Sequence, residues 1–455
     1  MTRANIVIGT TIAILTIGIL AFLNRPEVEP TWPARIQGFC FSPMHLDQNP
    51  SKGIYPTTKE IDADLSLLEG KAYAVRTYSM ASTLGDVASL AERHHLNVTL
   101  GAWISRDLAR NEREIKRVIE VANKQRNVVR VIVGNEALLR GEVSAAQLAA
   151  YLDRVRSKVV QPVSTAETWS TWLLHPELAK HTDFVAVHIL PYWEKVDVGK
   201  GVQFVVDKYN LLKSVFPKHP IVIAEVGWPS HGRTQRNAVA SSANEAIFLR
   251  RFLARAEKEK YVYYLMEAFD QPWKRSTEGD VGAYWGIWDA QRVPKFSFAK
   301  PIVANPNWKQ IGALSVLLAV LTFTILTVPS RTLKRRGRSF LAVVAFASAT
   351  GSVWIIYDFL DQYLTARSVA VGLLLILGMV GIIMVVLTEA HEWAEASWVT
   401  ERRRGLPFVA GSDLPMVSIH VPAYNAPPEM LIANLDALAG LDSPNYARLC
   451  PANTT

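Results

Sequence analysis

Cysteine is nearly absent from this sequence, whose 455 residues include two, Cys40 and Cys450. Two thiols cannot build a cysteine-based metal site. The sequence also contains no His-x-x-x-His pair, no glycine-rich phosphate loop, no repeat of fixed period and no low-complexity tract. These absences argue against a helical zinc site, a nucleotide-binding sheet and a repeat architecture.

Long uncharged runs are the most prominent feature that the sequence does contain. Each of them is long enough to cross a bilayer as a helix, and they cover residues 5–23, 311–328, 340–357 and 368–387. The first run could instead be a cleaved signal peptide, but its length and the lack of a small-x-small cleavage site before Arg25 favour a retained anchor. We therefore predict a multi-pass membrane protein with four spans.

The net charge of +8 is concentrated beside these runs. Basic clusters occupy residues 331–338, between the second and third runs, and 402–404, after the fourth. Basic residues that flank spans mark the cytoplasmic side, so residues 24–310 are predicted to be periplasmic at a bacterial inner membrane. The clusters are interpreted as topology signals and not as a nucleic-acid site. Cys40 and Cys450 would then lie on opposite sides, which excludes an intrachain disulfide.

Between two proline-rich segments, residues 24–35 and 294–310, the chain alternates short apolar runs with longer amphipathic stretches. This alternation is typical of βα units, and eight units in this length predict a (β/α)₈ TIM barrel. A doubly wound sheet is the alternative, but no phosphate loop supports it. The predicted strands cover residues 36–43, 74–80, 97–105, 128–136, 162–170, 184–193, 221–230 and 261–273.

The predicted strands end in aromatic and carboxylate residues, at the barrel end where active sites lie. This mixture suits a sugar, whose faces stack on rings and whose hydroxyls need acceptors. Glu136 and Glu225 each follow a long apolar strand. Cleavage of a glycoside with retention needs two carboxyls about 5–5.5 Å apart, one protonated and one ionised. The alternative is that each glutamate forms a salt bridge with a neighbour.

Three stretches carry a resemblance to a known family: VIVGNEAL (131–138), IVIAEVGWPS (221–230) and YYLMEAFDQPWK (263–274). Together they resemble glycoside hydrolase family 17, the β-1,3-glucanases and related glucan-remodelling transferases. The resemblance covers roughly residues 35–300. It implies a retaining barrel enzyme that needs no cofactor and no metal.

The resemblance also implies roles for single residues. Glu136 would be the acid/base and Glu225 the nucleophile, and Asn135 would bind the sugar 2-hydroxyl. The charged residues expected to contact the sugar are Glu267, Asp270 and Lys274. The aromatic residues expected to stack on the sugar are Trp103, Tyr192 and Trp228. Tyr78 is expected to form a hydrogen bond with the nucleophile. The alternatives are rim ion pairs for the charged residues and core packing for the aromatic ones.

Near the carboxy terminus, residues 417–446 resemble the start of a family 2 glycosyltransferase of the processive synthase type, as one strand and one helix. The metal-binding and Arg-Trp motifs of that family are missing, so the sequence predicts a truncated, incomplete α/β fragment. The order of parts resembles bacterial membrane proteins that make cyclic or branched β-glucans. In those proteins the synthase lies inside and a family 17 domain outside.

The sequence thus predicts five parts: an anchor at 1–24, a linker at 25–35, a periplasmic barrel at 36–300, three membrane helices at 308–390 and a cytoplasmic segment at 391–455. The leading hypothesis is a retaining β-glucan enzyme whose partners are a glucan, the bilayer and a glucan synthase, with transglycosylation favoured over hydrolysis. One alternative is an inactive module that guides glucan from a synthase. Another is a β-glucosyltransferase whose synthase domain is truncated.

Overall fold

The computed structural model describes residues 3–330, 332–399, 417–421, 427–440 and 446–449. Its largest part is a closed barrel of eight parallel strands that neighbour each other in chain order, with β8 closing on β1. The predicted (β/α)₈ fold is therefore confirmed. The strands are β1 (Ile36–Cys40), β2 (Ala72–Arg76), β3 (Asn97–Ala102), β4 (Val128–Asn135), β5 (Val163–Thr168), β6 (Val185–His188), β7 (Ile221–Val226) and β8 (Val262–Leu265).

Helices follow the strands around the barrel, and four longer helices lie at the two ends of the chain. The barrel helices are α2 (Thr58–Leu68), α3 (Val87–Arg93), α4 (Leu108–Lys124), α5 (Ala145–Arg156), α6 (Trp169–Leu174), α7 (Val198–Val215), α8 (Ser242–Glu259) and the one-turn α9 (Arg275–Glu278). The longer helices are α1 (Arg3–Leu23), α10 (Trp308–Thr327), α11 (Arg335–Leu360) and α12 (Ala366–Trp398).

Local sequence signals account for the helix boundaries and for the faces that the helices bury. α2 begins at a capping box in which Thr57 and Glu60 each accept a backbone N–H of the other, and this satisfies donors that the first turn leaves unpaired. In α4, Ile115, Val118 and Ala122 recur at helical spacing and are buried, which fixes the apolar stripe that packs on the strands.

The apolar run before Glu225 has a direct structural cause. All of β7 is buried, because a parallel strand in a barrel is covered by side chains inside and by helices outside. The other strands are largely buried in the same way and form one continuous core with the helices. Strand ends therefore bring polar residues together at one rim.

The two proline-rich segments, residues 24–35 and 294–310, pack against each other and against α8. Glu27 and Ile302 form an antiparallel bridge, and the Trp32 backbone N–H donates to the carbonyl of Phe298 at 3.1 Å. Arg250 of α8 donates to the carbonyl of Lys300 at 2.8 Å and to that of Glu29 at 2.7 Å. Both connections between the barrel and the longer helices thus run along one barrel helix.

The four longer helices are long and apolar enough to cross a membrane, as judged by length and composition. They contact each other through polar groups near one end of the bundle. Asn5 of α1 donates to the Thr327 hydroxyl at 3.1 Å, and Arg338 of α11 donates to the Asn5 side-chain oxygen at 2.9 Å. Most apolar side chains of α12 are exposed in the isolated chain.

The carboxy-terminal fragment contains β9 (Val417–His420), α13 (Pro428–Ala439) and β10 (Tyr446–Leu449). The predicted strand and helix are β9 and α13. The sequence did not predict β10, which pairs with β9 in parallel. Other features assigned to this region, among them the turn after β9, the basic residues 402–404 and Cys450, lie outside the described residues.

Candidate active site

A cavity of about 660 Å³ opens at the carboxyl ends of the barrel strands. Its walls combine the two glutamates with several aromatic rings and cations. The lining residues include Tyr78, Trp103, Asn135, Glu136, Arg140, Trp169, His188, Trp193, Glu225, Trp273, Lys274, Thr277 and Glu278.

Glu136 follows the last residue of β4 in a left-handed backbone conformation, with φ of 53°. Such a conformation is unfavourable for a residue with a side chain. Gly134 precedes it with φ of 86°, a value that glycine adopts without strain. The Glu136 N–H donates to the carbonyl of Ala166 on β5 at 2.7 Å, and the Glu136 carboxylate lies 2.7 Å from His188 Nδ1. The turn thus directs this carboxylate into the cavity.

Glu225 is held by donors from other strands. Its Oε1 accepts from Arg76 Nη1 at 2.8 Å and from the Tyr78 hydroxyl at 2.9 Å, and His188 Nε2 lies 3.4 Å away. Burial opposes ionisation, but the neighbouring His188 and Arg76 outweigh it and lower the pKa of Glu225 below its ordinary value. Glu225 is therefore an ionised carboxylate at neutral pH.

The two glutamates are close to each other. One oxygen of Glu136, one of Glu225 and a ring nitrogen of His188 all lie within 4.8 Å of one another. A short separation of this kind suits a nucleophile and an acid/base acting on one bond, and it leaves no room for the water that an inverting mechanism places between its carboxyls.

This Glu-His-Glu group is also the one metal-type cluster among the described residues. The Arg76 guanidinium lies against Glu225 at 2.8 Å, and Lys274 lies close enough to lower the pKa of the same carboxylate. Two cations beside the cluster disfavour a bound divalent ion. We therefore assign no metal to it.

Arg76 connects the predicted site residues across the barrel. Besides Glu225, it donates to the Asn135 side-chain oxygen and to the carbonyl of Ala224. Asn135 is thereby fixed next to Glu136. Neither Arg76 nor His188 was predicted as a site residue, because contacts across a barrel leave no local pattern.

Of the three charged residues predicted on the β8 side, Lys274 lines the cavity. Its Nζ donates to Glu267 Oε1 at 2.7 Å. Glu267 is fully buried behind it, and burial raises the pKa of Glu267 to about 7 despite the opposing charge of Lys274. Glu267 does not line the cavity, so the structure does not bring it to the predicted sugar contact, and its carboxylate contacts Lys274 instead.

Asp270 does not line the cavity, so the structure does not bring it to the predicted sugar contact. Its carboxylate is buried and accepts from Lys295 Nζ at 2.9 Å, from the Gly286 N–H at 2.7 Å and from the Tyr363 hydroxyl at 2.8 Å. It is the centre of a rim ion pair, which was the alternative interpretation.

Two of the three predicted stacking rings also lie outside the cavity lining. Tyr192 and Trp228 are fully buried, with their ring centres 6.0 Å apart, and neither lines the cavity. The Trp228 indole N–H donates to the carbonyl of Val239 at 2.9 Å, and the Tyr192 hydroxyl donates to that of Arg233. Both rings are part of the core.

Trp103 lines the cavity as predicted, with the Arg140 guanidinium 4.3 Å from its ring centre. The rings that replace Tyr192 and Trp228 are Trp169, Trp193 and Trp273. Trp169 directly follows the last residue of β5, and this position is a signal that could have found it, whereas Trp193 and Trp273 lie several residues beyond β6 and β8. Tyr78 lies where predicted, and burial raises its pKa well above the ordinary value, so its hydroxyl stays protonated.

A glycine explains the tight approach of β7 to β8 beneath this site. A Cβ on Gly227 would lie 2.3 Å from the carbonyl oxygen of Met266, which no real side chain tolerates. The Gly-Trp-Pro turn therefore serves close packing.

An eight-stranded barrel with one glutamate after β4 and another at the end of β7, facing a ring-lined cavity, defines a glycoside hydrolase of the barrel class. Residues 38–286 match the BtgE/BtgC glycoside hydrolase domain, and the chain belongs to that family. The resemblance to glycoside hydrolase family 17 is confirmed for the barrel.

Individual relatives agree with this assignment. The chain is 25% identical over 308 residues to the probable glucan endo-1,3-beta-glucosidase btgC of Aspergillus flavus, covering 60% of this chain and 44% of the relative. It is 24% identical over 259 residues to the probable family 17 glucosidase SCW4 of Saccharomyces cerevisiae, and this match covers 55% of this chain and 65% of the relative. The chain thus spans about half to two thirds of the length of these relatives.

One solved structure is similar over the barrel. The glycoside hydrolase family 17 beta-1,3-glucanosyltransferase from Rhizomucor miehei is 25% identical, with a TM-score of 0.52, and the match covers 58% of this chain and 97% of that one. An active-site mutant of the same enzyme in complex with laminaritriose gives the same TM-score at 24% identity.

Arg76→Gln tests the buried ion pair. The variant leaves a buried carboxylate without its counter-charge, and we expect it to lose about 3–5 kcal/mol of unfolding free energy at pH 7. Because Glu225 has a lowered folded pKa, its contribution to stability is present above the unfolded value of about 4.5 and is lost as the pH falls. The difference from wild type should therefore shrink below pH 4.5 in denaturant unfolding of the detergent-solubilised chain.

Arg154→Gln is the matched control, because Arg154 pairs with Glu112 and both are solvent-accessible. It should lose less than about 1 kcal/mol. Equal losses in the two variants, or a difference between Arg76→Gln and wild type that does not change with pH, would contradict the proposed role of the ion pair.

Proposed function

We propose that this chain is a retaining enzyme acting on β-glucans, with Glu225 as the nucleophile and Glu136 as the acid/base. The observation that carries the proposal is the pair of carboxylates within 4.8 Å of each other in two different environments. Glu225 is buried against a guanidinium, whereas Glu136 has a quarter of its side chain exposed and faces His188. The names of the relatives, which are glucanases, glucosidases and a glucanosyltransferase, support a β-glucan substrate.

In the first step the Glu225 oxygen attacks the anomeric carbon, and the bond between that carbon and the leaving oxygen breaks. Glu136 transfers its proton to the leaving oxygen, so the departing chain carries a hydroxyl. The product is a glycosyl ester on Glu225. Arg76 and Tyr78 hold Glu225 in position through hydrogen bonds at 2.8 and 2.9 Å.

In the second step Glu136, now a carboxylate, takes a proton from an incoming hydroxyl, whose oxygen attacks the anomeric carbon and releases Glu225. His188, 2.7 Å from Glu136, fixes the orientation of this carboxylate through both steps. Asn135 is next to Glu136, and we assign it to the 2-hydroxyl of the sugar. Lys274 and the rings of Trp103, Trp169 and Trp193 complete the substrate contacts.

The incoming hydroxyl decides between the two possible reactions. Water gives hydrolysis, and a sugar hydroxyl gives transglycosylation through the same ester. We favour transglycosylation because Trp169 and Trp193, which follow β5 and β6, add rings to the cavity lining on which an acceptor sugar can stack. A role as an inactive guiding module is disfavoured, because guiding needs neither carboxylate.

We further propose that α1, α10, α11 and α12 cross a bacterial inner membrane, with the barrel in the periplasm. Their length and apolar composition support this arrangement, as do the basic residues at the start of α11. The barrel would be the domain at 36–300, and the membrane helices would connect it to a glucan synthase that supplies the polymer.

The product assay tests the reaction. The full chain in detergent micelles is incubated with linear β-1,3-gluco-oligosaccharides, and the products are resolved by mass and linkage. We expect products longer than the substrate, because a bound acceptor sugar competes with water. If all products are shorter than the substrate, the reaction is hydrolysis and not transfer. If no β-glucan is turned over, the enzyme proposal is overturned.

Variants of the two carboxylates test their roles. Glu225→Gln should abolish turnover because no ester can form, and Glu136→Gln should reduce it by about 10²–10⁴-fold because proton transfer is lost. Intact-protein mass spectrometry of Glu136→Gln with an aryl β-glucoside, whose leaving group needs no proton, should detect the glycosyl ester. Glu112→Gln, an exposed residue, is the control. If Glu225→Gln turns over substrate at the wild-type rate, Glu225 is excluded as the nucleophile.

Cysteine accessibility tests the membrane arrangement. Val160 is 92% exposed on the barrel, and Arg336 is exposed at the start of α11. In intact spheroplasts, Val160→Cys should react with a membrane-impermeant maleimide. Arg336→Cys should react with it only after the membrane has been permeabilised. The reverse pattern would invert the orientation, and reaction of both without permeabilisation would contradict a bilayer between them.

A further inference from the structure

The loop between α11 and α12 is bound to the barrel rim through Tyr363. The Tyr363 ring stacks on Tyr284, with ring centres 5.0 Å apart and planes 16° from parallel. Its backbone N–H donates to the Tyr284 hydroxyl at 2.9 Å, and its carbonyl accepts from Arg275 Nη1 at 2.7 Å. This contact joins a loop between two membrane-type helices to the rim of β8.

The hydroxyl of Tyr363 makes two more hydrogen bonds to the rim. It donates to Asp270 Oδ2 at 2.8 Å and accepts from the Ala290 N–H at 2.9 Å. Asp270 is fully buried, and its other oxygen accepts from Lys295 Nζ at 2.9 Å. Because a buried carboxylate is costly unless its acceptor positions are filled, Tyr363 completes a network that the barrel alone leaves incomplete.

The segment that Tyr363 holds is a wall of the cavity. Residues 272–280 contribute Trp273, Lys274, Thr277 and Glu278 to the lining. Arg275 lies between them in sequence but turns away from the cavity to Tyr363. Residues 276–280 are exposed, so few buried contacts hold this part of the wall in place, and its local opening is expected to be easy.

We infer that Tyr363 is a positioning residue, through which the loop between α11 and α12 fixes the cavity wall that carries Trp273 and Lys274. The inference rests on the proposed function, since that wall bounds the cavity in which the glucan would bind. Glu136 follows β4 and is contacted by His188, whereas Glu225 lies on β7 and accepts from Arg76 and Tyr78. Among the described residues, neither carboxylate forms a hydrogen bond with this wall. Loss of the Tyr363 contact should therefore weaken substrate binding and leave the chemical step nearly unchanged.

Other contacts on the same side support a fixed arrangement of barrel and helices. The Asn307 side-chain amide donates to the Tyr357 hydroxyl of α11 at 3.0 Å, and His231 Nε2 lies 3.6 Å from the carboxylate of Asp358. Neither contact touches the segment 272–280. Because Asn307 directly precedes α10, Tyr357→Phe provides a control that removes a hydrogen bond of α11 near the same loop and leaves the cavity wall untouched.

The experiment compares Tyr363→Ala, Tyr363→Phe and the control Tyr357→Phe in the full chain in detergent micelles. For Tyr363→Ala we expect KM for β-1,3-gluco-oligosaccharides to rise about tenfold, with kcat within about twofold of wild type. Tyr363→Phe keeps the stacked ring and loses the two hydroxyl bonds, so its KM should lie between those of Tyr363→Ala and wild type. Tyr357→Phe should match wild type.

Limited trypsin digestion gives a readout that needs no activity. Cleavage after Lys274 and Arg275 should become faster in Tyr363→Ala, and the thermal unfolding midpoint of each variant shows whether the whole barrel is affected. If Tyr363→Ala lowers that midpoint, the KM and the cleavage rate of the milder variant Tyr363→Phe decide whether Tyr363 positions the wall. The inference would be overturned if both Tyr363 variants kept the wild-type KM and the wild-type cleavage rate. It would also be overturned if a variant lost kcat while its KM stayed unchanged. If wild type turns over no β-glucan, the proposed function fails, and the digestion alone tests whether Tyr363 holds the wall.

Discussion

The buried ion pair between Arg76 and Glu225 is the interaction on which the site depends. Both side chains are almost completely removed from water, and such a pair is tolerated only when each charge meets its partner and the remaining hydrogen-bonding positions are filled. Tyr78, Asn135 and the carbonyl of Ala224 fill most of these positions, while Arg76 Nε has no hydrogen-bond partner among the described residues. Since the groups come from strands β2, β4 and β7 and the loops that follow them, the charges are satisfied only when the barrel closes in the correct register.

The same constraint separates the roles of the two glutamates. Glu225 lies deep in the barrel beside a guanidinium and has a lowered pKa, whereas Glu136 stands on a left-handed turn at the edge of the cavity. Two carboxyls whose environments differ in this way can divide the work of attack and proton transfer. His188 contacts both and so links the orientation of one to the position of the other.

Buried charge also explains why the charged residues at the β8 rim, where the sequence suggested sugar contacts, pair with each other. Glu267 and Asp270 are both fully buried and neutralised by lysines, Lys274 and Lys295. Their role is to hold the segment that carries Lys274 and to receive Tyr363 from a distant loop. The charges at this rim thus connect the barrel, the segment that leaves it and the long helices into one arrangement.

The sequence by itself determined the barrel, the four long apolar helices and the positions of Glu136 and Glu225. Alternation of apolar runs and amphipathic stretches is a local signal, and a strand end fixes which rim a residue occupies. Only the tertiary structure decided which rings face the cavity. Tyr192 lies four residues beyond the end of β6 and Trp228 two beyond that of β7, where strand alternation no longer sets the direction of a side chain. The contacts of Arg76, His188, Asp270 and Tyr363 join residues far apart in the chain, and no local pattern encodes them because they exist only once the barrel has closed.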